Sequence, residues 1–277
     1  IRHGWCGCML LCPLMLHTVP ACRLDLRRKG LVTFNESYIR TQATAECGSW
    51  AAVTALDMSG NKLAGDLSML PNLSQLKDLN LYNNKLTGTL EPLAGATALR
   101  TLHLGVNRFS GTLWPLSQAT QLTSLRLYVN DLDGTLEPLS RAIHLTFLYI
   151  GYNRLTGPLD HVAGAEGLTH INLVRNRLNG TLEALRCMKR LRLLYLEDNA
   201  LGGTLRPLSL SSALEDVNLG GNLLEGTVAP LAGSERLRKL LVHRNLLSGT
   251  LDDLAASPVQ YLDASSNRLF QGMASFS

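Results

Sequence analysis

Asparagines recur along this chain at a fixed interval. Nine of them lie 23 residues apart and a tenth follows 22 residues later, so ten units stand in register. A unit of this length cannot enclose a core of its own, and its leucines can be buried only by stacking on the next unit. The chain is therefore predicted to form a solenoid. The ten positions are Asn61, Asn84, Asn107, Asn130, Asn153, Asn176, Asn199, Asn222, Asn245 and Asn267.

Each unit begins with a pattern typical of a half-buried strand. In the fourth unit, Leu125 and Leu127 alternate with the polar residues Ser124 and Arg126, which is the period of a strand with one face inward. Asn130 follows where the chain must turn. An amide both donates and accepts hydrogen bonds, so we predict that the stacked asparagines have a structural role and satisfy backbone groups inside the solenoid.

The second half of each unit argues against regular helix. A glycine such as Gly134 follows the asparagine, and prolines such as Pro92, Pro115 and Pro138 come shortly after it in several units. Proline removes a backbone donor and opposes an α-helix, so this side is expected to be extended or made of short 3₁₀ turns.

The repeated pattern L-x-x-L-x-L-x-x-N-x-L resembles the leucine-rich-repeat signature. Residues 47–50 (Cys-Gly-Ser-Trp) and the unit after them resemble the junction between cap and first repeat in plant-type ectodomains of receptor kinases and their receptor-like relatives. The recurring Gly-Thr-Leu, as at residues 88–90, resembles repeats of trypanosomatid surface antigens and proteophosphoglycans. The resemblance covers residues 31–270. It implies a leucine-rich-repeat horseshoe, an α/β-type solenoid with a parallel concave sheet and a largely non-helical convex side, used in extracellular recognition or adhesion.

Four segments are predicted. Residues 1–21 look like a signal peptide, which we expect to be incomplete because the chain starts at Ile1: Arg2 precedes an apolar run too short to span a bilayer. Residues 22–52 are expected to form an N-terminal cap in which Leu31, Phe34 and Tyr38 pack over the first repeat. Residues 53–270 are assigned to ten repeats of about 23 residues, and residues 271–277 to a tail without an evident C-terminal cap.

The cysteines and the sequons fit a secreted chain. Without the leader three cysteines remain, and Cys22 with Cys47 is the candidate disulfide if the compartment is oxidising. Cys187 is expected to be a lone buried or half-buried thiol. The predicted location is extracellular or at the cell surface, through the secretory pathway. Three asparagines fit the N-glycosylation pattern: Asn35, Asn72 and Asn179.

Six of the seven tyrosines fall at outward positions of the strands or beside them. Amphipathic aromatic residues are favoured anchors at interfaces, although strand propensity and cross-strand stacking would also place tyrosines there. The pattern predicts a binding patch for a protein or glycan ligand on the concave face. Its predicted members are Tyr82, His103, Arg126, Tyr128, Phe147, Tyr149, Tyr152, Arg175 and Tyr195.

A second surface feature is the residue after each repeat asparagine. Six of these ten residues are basic. They would line one rim of the solenoid, where they either attract an anionic surface or glycan or form an ordinary solvated edge. The formal net charge of +4 is spread along the chain, so a nucleic-acid groove is not indicated.

No constellation of catalytic residues stands out. The histidines fall at different repeat positions, and there is no G-x-S-x-G elbow, phosphate-binding loop or metal-ligand spacing. We therefore expect a non-catalytic chain without a cofactor or metal, and a membrane association only through an anchor that this sequence does not contain. Two alternatives stay open: a cytoplasmic leucine-rich-repeat scaffold, and a partial gene copy without an independent role.

Overall fold

The computed structural model describes residues 21–33, 35–70 and 72–270. Eleven strands, β1 to β11, form one parallel sheet in which each strand pairs with the next along the chain. The predicted leucine-rich-repeat solenoid is confirmed. Residues 1–20 and 271–277, which hold most of the predicted signal peptide and the predicted tail, lie outside the described residues. The strands are Cys22–Asp25, Val53–Asp57, Asp78–Asn80, Thr101–His103, Ser124–Arg126, Phe147–Tyr149, His170–Asn172, Leu193–Tyr195, Asp216–Asn218, Lys239–Leu241 and Tyr261–Asp263.

The register of the sheet places like positions of successive repeats side by side. Leu125 pairs with Leu148, and Leu148 pairs with Ile171. All three side chains are fully buried, and each leucine removed from water contributes about 1.5–3 kcal/mol. The core is therefore one continuous column of aliphatic side chains, and the outward residues between them form straight columns on the concave face.

The asparagines join each repeat to the one before it. The Nδ2 of Asn107 donates to the carbonyls of Leu104 and Leu81, each at 3.0 Å. Its Oδ1 accepts a hydrogen bond from the backbone N–H of Leu86 at 3.0 Å. The same contacts recur from Asn84 to Asn267, so each side chain satisfies backbone groups of two repeats.

After the asparagine, a short strand and a 3₁₀ helix complete most units. The short strands pair two by two beside the main sheet and are Ala64–Gly65, Lys85–Leu86, Ser110–Thr112, Asp131–Asp133, Thr156–Gly157, Arg177–Leu178, Gly202–Thr204, Leu223–Glu225, Ser248–Gly249 and Arg268–Leu269. The convex side is built largely from short strands and 3₁₀ helices and not from α-helix, as predicted. Its 3₁₀ helices are Leu67–Met69, Glu91–Leu93, Trp114–Leu116, Glu137–Leu139, Leu159–Val162, Glu183–Leu185, Arg206–Leu210, Ala229–Leu231 and Asp252–Leu254.

The recurring Gly-Thr has a structural explanation. Gly134 has φ +77°, a conformation that L side chains rarely adopt, and a β-carbon there would lie 3.0 Å from the Cγ2 methyl of Thr112. The hydroxyl of Thr135 accepts the backbone N–H of Glu137 at 3.2 Å, where a 3₁₀ helix begins. Glycine thus provides the turn and room for the threonine of the preceding repeat, and the Thr135 hydroxyl accepts the first N–H of the next 3₁₀ helix.

The N-terminal cap adds a strand and the α-helix α1. β1 extends the main sheet, while α1 (Glu36–Cys47) starts at the N-cap Asn35 and is followed by a 3₁₀ turn at Trp50–Ala52. A disulfide joins Cys22 to Cys47, with a Cα–Cα distance of 5.7 Å. It ties the end of the helix to the start of the sheet.

The packing of α1 differs from the sequence expectation. Leu31 is packed against the core, and Phe34 lies outside the described residues. Tyr38 is exposed, and Ile39 and Ala43 are the buried residues of the helix. Ile39 and Ala43 are four residues apart and share one helix face, which turns Tyr38 towards solvent.

The expectation of a buried or half-buried Cys187 was wrong. Its thiol is free and exposed. Cys187 follows a 3₁₀ helix at the position that Gly95, Gln118 and Arg141 occupy in other repeats, and these residues are exposed as well. The buried position of this turn is the next one, which Met188 fills.

Candidate functional site

The candidate site lies on the concave face over strands β3 to β7. The outward column through the centre of the sheet runs from Asn80 to His103, Arg126, Tyr149 and Asn172 in strict register. Because neighbouring strands lie about 4.8 Å apart, side chains of one column are in contact range of their neighbours. The structure brings most of the predicted patch together here.

One aromatic group occupies the amino-terminal part of the site. The rings of Tyr82 and His103 stack with centroids 4.7 Å apart, and the ring of Tyr128 lies 6.0 Å from Tyr82 and 5.8 Å from His103. Tyr82 and Tyr128 belong to repeats separated by one unit, with Gly105 between them. A β-carbon on Gly105 would lie 2.9 Å from Cε1 of Tyr128. Glycine at this position lets the Tyr128 ring fold over the backbone towards Tyr82.

A second aromatic group adjoins the first. Phe147 lies 6.5 Å from Tyr149 and 4.8 Å from His170, measured between ring centroids. The guanidinium carbon of Arg126 lies 5.7 Å from the ring centroids of both Phe147 and Tyr149. A cation at this distance from two aromatic faces is held by the negative charge on those faces. Arg126 therefore has a fixed place between the two groups.

Two hydrogen-bonding atoms at the centre of the site have no partner. The Nε2 of His103 and the Nε of Arg126 are both buried and make no hydrogen bond within the described part of the chain. An unpaired buried polar atom costs about 1–3 kcal/mol. A ligand oxygen would recover that free energy at Arg126 Nε, and at His103 Nε2 in the tautomer that carries its proton there, once the side chains that cover these atoms move aside.

Burial also sets the protonation of the site. The pKa of His103 falls from 6.5 to about 4, chiefly because burial disfavours the imidazolium and secondly because Arg126 is nearby. His103 is therefore neutral at pH 7, and Arg126 carries the positive charge at the centre. Burial raises the pKa of Tyr128 to about 12 and also raises the pKa of Tyr149, so both phenols stay protonated.

Two open depressions meet at His103 and Arg126. The first, of about 490 Å³, extends towards the cap and includes Asp57, Asp78 and Phe147 in its wall. The second, of about 330 Å³, is lined by His103, Arg126, Tyr128, Tyr149 and Asn172. Together they form a groove, called the concave groove below, with a polar arm and an aromatic arm.

Three predicted members lie apart from the concave groove. Tyr195 is two strands further along, and its hydroxyl donates to Oδ2 of Asp216 at 2.8 Å. Tyr152 and Arg175 occupy the left-handed position before the repeat asparagine, at the edge of the concave face. The Arg175 guanidinium lies 5.2 Å from the Tyr152 ring centroid and 3.4 Å from Asp198. The edge pair therefore has its own contacts.

The structure adds two residues that the sequence argument missed. His170 completes the second aromatic group, and Gly105 lets the first one close. The signal for His170 was its register opposite Phe147 in the outermost concave column. The signal for Gly105 was the alternation of tyrosine and glycine at residues 82, 105, 128 and 151.

Among residues 21–33, 35–70 and 72–270, no group of three or more histidine, cysteine or acidic side chains is placed to hold a metal ion. Within the same residues, no helix has the length and apolar character needed to cross a membrane.

Residues 75–95 match the family model described as Leucine Rich Repeat. Among curated proteins, none matches the chain. The match covers one repeat, and the same register recurs through the other repeats, so the described part of the chain has the leucine-rich-repeat fold.

Solved structures with this fold include two receptors and an ice-binding protein. A TDR receptor is 23% identical, with a TM-score of 0.71 over 79% of this chain and 44% of the receptor. The Arabidopsis receptor kinase HAESA, solved with the peptide hormone IDA and the co-receptor SERK1, is 23% identical, with a TM-score of 0.69 over 79% of this chain and 42% of the receptor. A plant ice-binding protein is 27% identical, with a TM-score of 0.63 over 74% of this chain and 69% of that protein. The chain thus spans less than half of either receptor structure.

Proposed function

We propose that this chain is a non-catalytic recognition module that binds a segment of a protein, at the cell surface or outside the cell, in the concave groove. The observation that carries the proposal is the pair of unpartnered buried atoms, His103 Nε2 and Arg126 Nε, between two aromatic groups. Arginine and tyrosine are the residue types that most often dominate binding energy at interfaces. An extended peptide could place a carbonyl or carboxylate oxygen on Arg126 Nε, and on His103 Nε2 when that nitrogen carries the proton, with an apolar side chain on the rings.

A peptide is favoured over a glycan by the arrangement of the groove. The aromatic arm offers faces and edges of tilted rings around Arg126, which suits side chains of different shapes. Ligand-bound HAESA has a peptide hormone as its partner, and this chain shares its fold. A glycan remains the second ligand class to be tested.

An extracellular location is supported by the disulfide between Cys22 and Cys47, since such bonds persist in oxidising compartments. The side chains of the three sequon asparagines, Asn35, Asn72 and Asn179, are all exposed. A shift in mass after glycosidase treatment of the secreted protein would support this location. A protein retained in the cytosol with both cysteines reduced would contradict it.

The binding proposal is tested with ligands selected from a random peptide display library against the full chain. The Tyr128→Ala/Tyr149→Ala variant should lose at least about tenfold in affinity for the selected peptides, the usual size of a hot-spot effect. Its circular-dichroism spectrum should be unchanged. Tyr261→Ala is the matched control, because Tyr261 is a concave tyrosine outside the groove.

A second variant tests the shape of the groove without removing a contact residue. Gly105→Ala forces the Tyr128 ring away from its position over the backbone and should also weaken binding. Unchanged affinity in both groove variants would refute the proposal. If parallel arrays yield glycans that bind and no peptides, the ligand class is a glycan and not a peptide.

A further inference from the structure

A row of cations lies on the edge of the solenoid, away from the concave groove. It consists of Arg28, Lys29, Lys62, Lys85 and Arg108, and is called the basic strip below. All five side chains are exposed. The row starts in the cap and continues through the first three repeats.

The backbone places the cations of the strip on successive rungs. The N–H of Lys62 donates to Leu31 of the cap, that of Lys85 to Leu63 and that of Arg108 to Leu86, each at 2.8 Å. The three residues therefore occupy the same position in neighbouring units, about 4.8 Å apart. Arg28 joins them from the cap, because its side chain lies over Gly60, with Cγ 3.1 Å from where a β-carbon would be.

The charge of the strip is not neutralised by the protein. Within the described residues no carboxylate lies within 4.0 Å of any of its five cationic groups. Other cations differ: Arg27 pairs with Asp25 at 2.6 Å. In the fourth repeat Asp131 takes the equivalent position and pairs with Arg154 at 2.5 Å. Along this edge, unpaired cations in consecutive units are thus found in the cap and the first three repeats.

The surface beside the strip is open and contains small side chains. Ala64, Thr87 and Ser110 come two residues after Lys62, Lys85 and Arg108, and all three are exposed. Residues two apart on a strand share a face, so these small groups leave the cations accessible along their length. Neither the basic strip nor the small residues beside it include an aromatic side chain on which bases could stack. They also include no large apolar side chain that could enter a lipid surface.

We propose that the basic strip binds a linear acidic polysaccharide, a chain with a carboxylate or sulfate on regularly spaced sugars. A polymer with one charge per sugar ring can meet the successive cations of the strip in order. Each ion pair at an exposed site is weak, at about 0.2–1 kcal/mol, so binding depends on several pairs formed at once. This site is independent of the concave groove and of the ligand proposed for it.

The test uses polygalacturonate as the probe and the full chain immobilised through its C-terminus. Lys62→Gln/Lys85→Gln/Arg108→Gln should weaken binding about tenfold or more and reduce its dependence on salt concentration, because fewer counterions are exchanged. The matched control is Arg141→Gln/Lys189→Gln/Arg190→Gln, which removes the same charge from exposed, unpaired positions after the 3₁₀ helices. Its affinity should equal that of the wild type.

Several outcomes would overturn the inference. They are equal losses in the two triple variants, no salt-sensitive binding of the wild type, or tighter binding to a single-stranded oligonucleotide or to phosphatidylserine vesicles than to polygalacturonate. The Tyr128→Ala/Tyr149→Ala variant should bind polygalacturonate normally. A failure of the groove proposal is therefore distinguishable from a failure at the basic strip.

Discussion

Single residues in this fold are fixed by contacts that recur in every unit. Gly134 is one such residue, because its φ of +77° and the nearby Thr112 methyl both exclude a side chain. The left-handed conformation costs a residue other than glycine about 1–2 kcal/mol. At such a residue even a change from glycine to alanine should lower the stability of the fold.

We expect Gly134→Ala to lower the free energy of unfolding by about 2 kcal/mol, the backbone cost combined with the contact at Thr112. The urea midpoint measures it. Gly95→Ala is the control, since Gly95 has nothing within 4 Å of a β-carbon and no positive φ. Equal midpoints for the two variants would contradict the role given to Gly134.

His103 makes stability depend on pH. Its pKa is about 4 in the folded chain and 6.5 in its ordinary state, so between these values the unfolded chain binds more protons. The stability that neutral His103 provides is therefore present above pH 6.5 and is lost as the pH falls towards 4.

The test compares urea midpoints at pH 7 and pH 4.5 for the wild type and His103→Gln. The wild type should lose more stability than the variant over this interval, because glutamine does not titrate. If the variant loses as much as the wild type, His103 is not the group responsible.

At the scale of elements, the asparagine ladder couples each strand to the preceding unit. Asn130 donates to the carbonyls of Leu104 and Leu127 and accepts from the N–H of Phe109. Removing the amide leaves the Phe109 N–H without a partner, while the carbonyls of Leu104 and Leu127 keep only the bonds from Asn107 and Asn153. The cost should therefore exceed the loss of a single hydrogen bond.

Asn130→Ala should destabilise the chain by about 1–3 kcal/mol, the cost of the one unsatisfied N–H, with a further contribution from the two weakened carbonyl contacts. Hydrogen exchange should show the faster opening in the repeats on either side of residue 130. Asn179→Ala is the control in non-glycosylated protein, because the Asn179 side chain is exposed. A change below about 0.5 kcal/mol, the range of ordinary surface substitutions, would show that the ladder is dispensable.

The elements were largely predictable from the sequence because a 23-residue register leaves little freedom. The alternation around Leu125 predicted the strand, the prolines predicted the absence of regular helix, and Cys22 with Cys47 was the candidate disulfide for an oxidising compartment. The outcome for Cys187 shows the limit of this reasoning. Whether Cys187 is buried depends on which of two adjacent residues, Cys187 or Met188, faces the core. The sequence pattern at this turn is too weak to decide between them.

The site was predictable only in part, for a geometrical reason. Register brings Arg126, Tyr149 and His103 into one column, which the repeat spacing already implies. The direction of each side chain within its column is set by neighbours such as Gly105 and by competition for partners. The sequence did not show that Arg126 lies between two aromatic groups, nor that Tyr152 and Arg175 pair at the edge.

At the scale of the molecule, the solenoid has two candidate binding surfaces on different faces. The concave groove collects rings and unpartnered donors in the middle repeats, whereas the basic strip runs along the edge of the first repeats. Repeats that share one core pattern allow two such surfaces, because the outward residues of each repeat can vary without altering the core. We therefore expect the two surfaces to act independently.

The most direct test of the central claim is side-chain footprinting by hydroxyl radicals, with and without a selected peptide bound to the full chain. We expect labelling to fall at His103, Tyr128 and Tyr149 and to stay unchanged at Trp114 and Tyr261. Protection of Trp114 or Tyr261, with the groove residues labelled as in the free protein, would contradict it.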